Sequence, residues 1–185
     1  MVLYQAYSRR VSVRPFYRVR QFLLALCSRA RPVDEAAVSP YLNPLQVGLF
    51  QRMPPAEQQH ALAVLRTLQS AGPIEASLAQ AALLHDVGKV QGHIRLWHRV
   101  IVVLVQALVP SLLKDMALDQ PGGWRYPFYV QSHHAQRGAA MAVQVGVEAT
   151  AVALIGAHHT LPAQDGLGRY EQNMLAKLQA ADGAN

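Results

Sequence analysis

The run Ala81-Ala82-Leu83-Leu84-His85-Asp86-Val87-Gly88-Lys89 sets an imidazole and a carboxylate side by side where an apolar helical stretch stops. A chain that buries this stretch must also compensate a charge, because interior carboxylates are rarely left unpaired. Both side chains are ligands for first-row divalent ions. A purely local account also exists. Asp86 caps the helix, Gly88 terminates it and Lys89 lies against the last carbonyls. The rest of the chain decides between the two accounts.

Composition favours helices. Of 185 residues, 51% are hydrophobic and 15% charged, so a sizeable core can form. Alanine and leucine abound while β-branched runs are few, which points to an all-α fold. The formal charge is +6, and the arginines crowd early: Arg9, Arg10, Arg14, Arg18, Arg20, Arg29 and Arg31. Anionic partners therefore suit the chain. A single cysteine, Cys27, excludes an internal disulfide framework and fits a reducing compartment, so a cytoplasmic location is expected. No signal peptide is read. Val100–Leu113 is strongly apolar but shorter than the roughly 20 residues of a spanning helix, and it holds Gln106 and Pro110. It is expected to be a buried or lid helix, with membrane contact the lesser reading, and no transmembrane segment is expected.

Periodicity places the side chains. Residues 1–53 are read as a basic N-terminal helical extension. In it, Phe16, Val19, Leu23 and Leu26 share one helical face, and Asn43-Pro44 opens a further helix ending near Met53. A packed helix with a solvated basic face is the simpler role for its first part. Residues 54–185 form the main domain. A helix over 56–69 puts His60 on the face of Ala61, Val64, Leu65 and Leu68. The next, over 74–85 and ended by Gly88, puts His85 in line with Leu78, Ala81 and Ala82. After the Pro121-Gly122-Gly123 loop, a helix from about Ser132 carries His134 and stops at Gly146. Another, over 148–159, ends in His158-His159. The last aligns Asp182 with Leu175 and Leu178. Trp124, Tyr126, Phe128 and Tyr129 are expected to pack into the core, with stacking on a base as the alternative.

Each inward histidine has an ordinary explanation alone, since lone core histidines are common. Several imidazoles and two carboxylates on inward faces or helix ends are hard to explain without a cation. The ordered set His60, His85-Asp86, His134-x-x-x-Gly138, His158-His159 and Asp182 resembles the HD-domain metal-dependent phosphohydrolase superfamily, in its form with a binuclear site. The resemblance spans roughly residues 56–185. It implies an all-α helical bundle with a metal site in its core. It implies that His60, His85, Asp86 and Asp182 hold one ion. Asp86 would bridge to a second ion held by His134, His158 and His159. Asp86 and Lys89 would be the catalytic residues, with Lys89 near the substrate phosphate. The cofactor would be one or two divalent transition ions, Fe, Mn, Co, Ni or Zn, which suit mixed imidazole and carboxylate ligands better than Ca does. The Gly-Tyr-Pro triplet of the cyclic-di-GMP subgroup is missing, because Arg169 stands between Gly168 and Tyr170.

The function expected is hydrolysis of a phosphate ester of a nucleotide or related small molecule. The alternative is a non-catalytic HD-type regulatory or binding module whose basic N-terminal part binds nucleic acid or a protein partner. That alternative is the less favoured, because regulatory relatives of the fold commonly lack ligands and this chain has the full set; nucleic acid is likewise not the favoured partner. The sequence does not select a substrate or an oligomeric state.

Overall fold

The computed structural model describes residues 33, 35–92, 105, 118–160 and 166–185. Among the described residues every regular element is helical, as the composition predicts. The described residues include six α-helices: α1 (Pro44–Gln51), α2 (Pro55–Ser70), α3 (Ala76–Leu84), α4 (Tyr126–Gln144), α5 (Ala149–Ala157) and α6 (Arg169–Ala184). Two 3-10 turns, Glu35–Ala37 and Val87–Gly92, complete the set. The expected helix over 15–29, Cys27, the early arginines and, Val105 apart, the apolar stretch 100–113 lie outside the described residues. No helix among the described residues is long and apolar enough to cross a membrane.

The fold is built around α3. Its sequence, ASLAQAALL, offers almost no polar face, and a helix that is apolar all round belongs in a core. Ala79, Ala81, Ala82, Leu83 and Leu84 are wholly buried. Helices α2, α5 and α6 pack around α3. Its one outward polar residue, Gln80, ties two neighbours to it. The Gln80 amide donates to the Tyr41 carbonyl at 3.1 Å, and its oxygen accepts from the Glu148 N–H at 3.4 Å. Val38, Leu42, Leu49, Phe50 and Met53 enter the same core as α2, α3, α5 and α6.

The helix ends follow local rules. Asn43 caps α1 as the sequence predicts, in a reciprocal box. Gln46 N–H donates to Asn43 Oδ1, and Asn43 N–H donates to Gln46 Oε1, both at 3.0 Å. Helix α4 ends at Gly146 in the left-handed conformation (φ +66°). Val147 N–H then reaches Ala142 O and Gly146 N–H reaches Val143 O, at 3.1 Å each, which satisfies two end carbonyls.

Three sequence expectations need correction. Helix α4 starts at Tyr126, six residues before Ser132, because Pro127 sits in its first turn, where its missing N–H costs nothing. Of the aromatic group, Phe128 and not Trp124 is buried; Trp124 is 66% exposed. The third correction concerns Gly88. It does not terminate α3. That helix ends at Leu84, His85 keeps helical angles as its cap, and Gly88 is not among the positive-φ glycines. Gly88 is required for a close backbone crossing. The 3-10 turn lies directly on α4, and a Cβ at Gly88 would fall 2.0 Å from the His134 carbonyl oxygen and 2.7 Å from the Gly138 nitrogen. Gly138 closes the other side, where a Cβ would meet the Gly88 nitrogen at 3.2 Å.

A methyl group at Gly88 therefore has to push two main chains apart. We expect Gly88→Ala to lower stability by about 1–3 kcal/mol, in the range of overpacked cores. Thermal melts of the metal-free protein read this directly. An unchanged melting temperature would show that the crossing is not tight.

Candidate metal centre

Seven side chains from five elements converge beside this crossing. The positions follow from where the helices end. His85 caps the C-terminus of α3, and His158 caps that of α5. Asp182 lies in the last turns of α6. Three helix C-termini thus meet, and their unpaired carbonyls carry partial negative charge that favours cations. Helix α2 adds His60 from its second turn, and α4 adds His134 opposite the turn 87–92.

The end carbonyls also fix the imidazoles. His85 Nδ1 donates to Ala82 O at 3.0 Å, His134 Nδ1 to Gln131 O at 2.7 Å and His158 Nδ1 to Ile155 O at 2.7 Å. A carbonyl only accepts, so each Nδ1 carries the proton and each Nε2 is turned into the cluster. This is the outer-shell arrangement typical of metal-binding histidines. Gln179 of α6 secures the end of α5, donating to the carbonyls of His158 at 3.1 Å and Thr160 at 3.0 Å.

Asp86 is the hub. Its Oδ2 stands 3.5 Å from His85 Nε2 and 2.5 Å from Lys89 Nζ. Its Oδ1 faces the other way, 3.3 Å from His134 Nε2 and 3.9 Å from His158 Nε2. On the first side, Asp182 Oδ1 lies 2.8 Å from His60 Nε2 and 3.7 Å from His85 Nε2. On the second, His159 Nε2 lies 3.0 Å from His134 Nε2. The ligand atoms of His60, His85 and Asp86 all lie within 4.8 Å of one another, as do those of His134, His158 and His159. All seven residues singled out from the sequence are therefore together, in two groups that share Asp86 between them. The Nε2 atoms of His85 and His158 are buried without a hydrogen-bond partner among the described residues. Such atoms are costly unless something binds them. The donor set fits a divalent transition ion, and the cluster can hold a metal.

Electrostatics prepares the ligands. Burial alone would raise the Asp86 carboxyl, but the Lys89 ammonium with His85 and His134 holds it well below the usual carboxylate range. Burial likewise opposes ionisation of Asp182, and the hydrogen bond from His60 together with the neighbouring His85 imidazole outweighs it. Burial pushes the His158 imidazole well down, helped by His159 and His85. His159 reaches the surface, yet desolvation around its ring and the neighbouring His134 lower it to about 4. His158 and His159 are thus neutral near pH 7, as ligation requires. His85 is the exception: burial lowers it, but the Asp86 and Asp182 carboxylates prevail and raise it. Without a metal, two carboxylates draw a proton onto His85.

Sequence reasoning missed Glu57. It is buried in the first turn of α2 with its Oε2 3.9 Å from Lys89 Nζ. The signal was its spacing: Glu57 and His60 are three residues apart and share a helical face. An acid in a first turn reads as ordinary helix-dipole complementarity, which hid it. Tyr170 is not in the cluster; its hydroxyl donates to the Glu75 carboxylate.

Comparison of the chain with protein-family models, with curated proteins and with solved structures gave no match. The functional reading rests on the cluster itself.

The shifts predict a pH dependence. A histidine whose folded pKa is depressed contributes stability above its unfolded value, 6.5, and loses it as pH falls toward the folded value. His158 and His159 both act in this direction. The raised His85 contributes fully below 6.5 and adds no slope there. Asp86 and Asp182 lose their contributions only below about 3.8. The melting temperature of the metal-free protein should therefore drop between pH 6.5 and 4.5, and drop less in His159→Gln. Equal slopes for the two proteins would remove His159 from this account.

Proposed function

We propose that the chain is a metal-dependent phosphohydrolase of the HD type, acting on a phosphate ester of a nucleotide or related small molecule. One observation carries the proposal: the two oxygens of a single buried carboxylate, Asp86, face two separate groups of ligand atoms. A structural metal needs only one closed site with all its ligands from protein. Two adjacent groups sharing a carboxylate suit paired ions in phosphoryl chemistry.

In this reading His60, His85, Asp86 and Asp182 hold one ion, and Asp86, His134, His158 and His159 hold the other. When bound, such ions polarise a phosphoryl oxygen and lower the pKa of a coordinated water. The protein residues do the remainder. The backbone-anchored imidazoles keep their Nε2 atoms aimed without reorganisation. Asp86 keeps both oxygens ionised at neutral pH. Lys89 supplies a positive charge at the cluster suited to a substrate phosphate. The ligand chemistry fits Fe, Mn, Co, Ni or Zn.

The test uses one monoester and one diester, p-nitrophenyl phosphate and bis(p-nitrophenyl) phosphate, with metal content per chain measured on the same samples. We expect turnover that depends on an added transition ion and disappears with a chelator. Outer-shell changes at metal sites cost 10–100-fold, so removing the shared ligand in Asp86→Ala should cost more than about 100-fold. His134→Ala or His158→Ala should also reduce turnover strongly if both ions take part. An Asp86→Ala protein that hydrolyses either ester at the wild-type rate overturns the reading.

A further inference from the structure

We propose that Lys89 is the resident counterion of Asp86, and that Glu57 is the carboxylate to which it passes when a divalent cation binds. The inference rests on the metal-centre reading above and adds a positioning role for Glu57. Lys89 Nζ sits 2.5 Å from Asp86 Oδ2 and 3.9 Å from Glu57 Oε2. The two acids are almost fully buried, each with 4% side-chain exposure, against 17% for the lysine. One ammonium therefore stands between two desolvated carboxylates from different elements, the segment after α3 and the first turn of α2.

Three physical points follow. A carboxylate taken out of water needs a cation, and in the metal-free protein Asp86 has this one. A divalent ion held by His85 and Asp86 would share Asp86 with that ammonium, and like charges at contact distance in a poorly screened interior repel strongly. The lysine stem is flexible and its ammonium is a point charge with no fixed fork, so it can change partner without moving its backbone. Among the described residues, Glu57 is the second carboxylate within reach of Lys89. Closing 3.9 Å to a charge-assisted bond of about 2.8 Å needs a shift of about 1 Å. Glu57 and His60 lie one helical turn apart on α2, so the receiving carboxylate and a ligand are carried by one rigid element. Metal uptake is then an exchange of cations at Asp86.

The test is a double-mutant cycle on metal affinity. Full-length protein stripped with chelator is titrated with Mn²⁺ by calorimetry at a fixed neutral pH. Lys89→Met keeps the stem and removes the charge. It should lower the melting temperature of the metal-free protein and tighten Mn²⁺ binding by about tenfold or more. Glu57→Gln in the wild-type background should weaken binding by about fivefold or more, because the displaced lysine has lost its destination. In the Lys89→Met background the same Glu57→Gln change should have little effect. Equal losses in the two backgrounds would mean simple through-space attraction between the Glu57 carboxylate and the ion, and overturn the exchange. Lys89→Met binding Mn²⁺ no tighter than wild type overturns it as well. If Lys89→Met does not fold, Lys89→Gln takes its place in the cycle and is read in the same way. Failure of wild type itself to take up Mn²⁺ removes the metal centre, and this inference with it.

Discussion

The structure depends on the compensation of one buried carboxylate. Asp86 follows the end of the buried helix α3, where an ionised group is unwelcome. Its neighbours are arranged to make ionisation favourable there: an ammonium on one oxygen, imidazoles around both, and helix ends turned toward the same point. Removing Asp86 would leave the Lys89 ammonium and the His134 and His158 nitrogens facing one another across the space its carboxylate fills. The packing around α3 and the polar cluster are therefore parts of one solution.

The cluster also shows how an ordinary cost of helices becomes useful. Each α-helix leaves its last carbonyls without internal partners. At α3 and α5 an end carbonyl is satisfied by the Nδ1 of the histidine that follows it by three residues. One hydrogen bond thus completes the helix end, sets the tautomer and directs the free nitrogen inward. The residue type, the helix boundary and the ligand geometry are consequences of the same contact.

Much of this was legible in the sequence because periodicity and residue chemistry agreed. His60, His85 and Asp182 fell on apolar stripes, and each stripe proved to face the common core or its edge. Asn43 and Gly146 marked helix ends by local rules, which need no tertiary context. Other features were not legible because they depend on what lies across the fold. Gly88 looks like a helix terminator until α4 is seen lying against it. Glu57 looks like a first-turn acid until Lys89 is seen beside it. The early start of α4 was hidden by Pro127, which stops a helix in its interior but suits its first turn. Trp124 and Phe128 are four residues apart on aromatic-rich chain, and nothing local says which is buried.

The crossing of Gly88 and Gly138 has a consequence for how such a centre can change over time. Two main chains in direct contact act as a gauge block: they set the separation of Asp86 and His134 without reference to any side chain. Leucines and alanines elsewhere in the bundle can then be exchanged for others of similar volume, altering how firmly the bundle holds together. The gap between the two ligands stays nearly constant through such drift. Evolution, or a designer, can tune the robustness of this fold and the dimensions of its histidine–aspartate cluster as nearly separate variables.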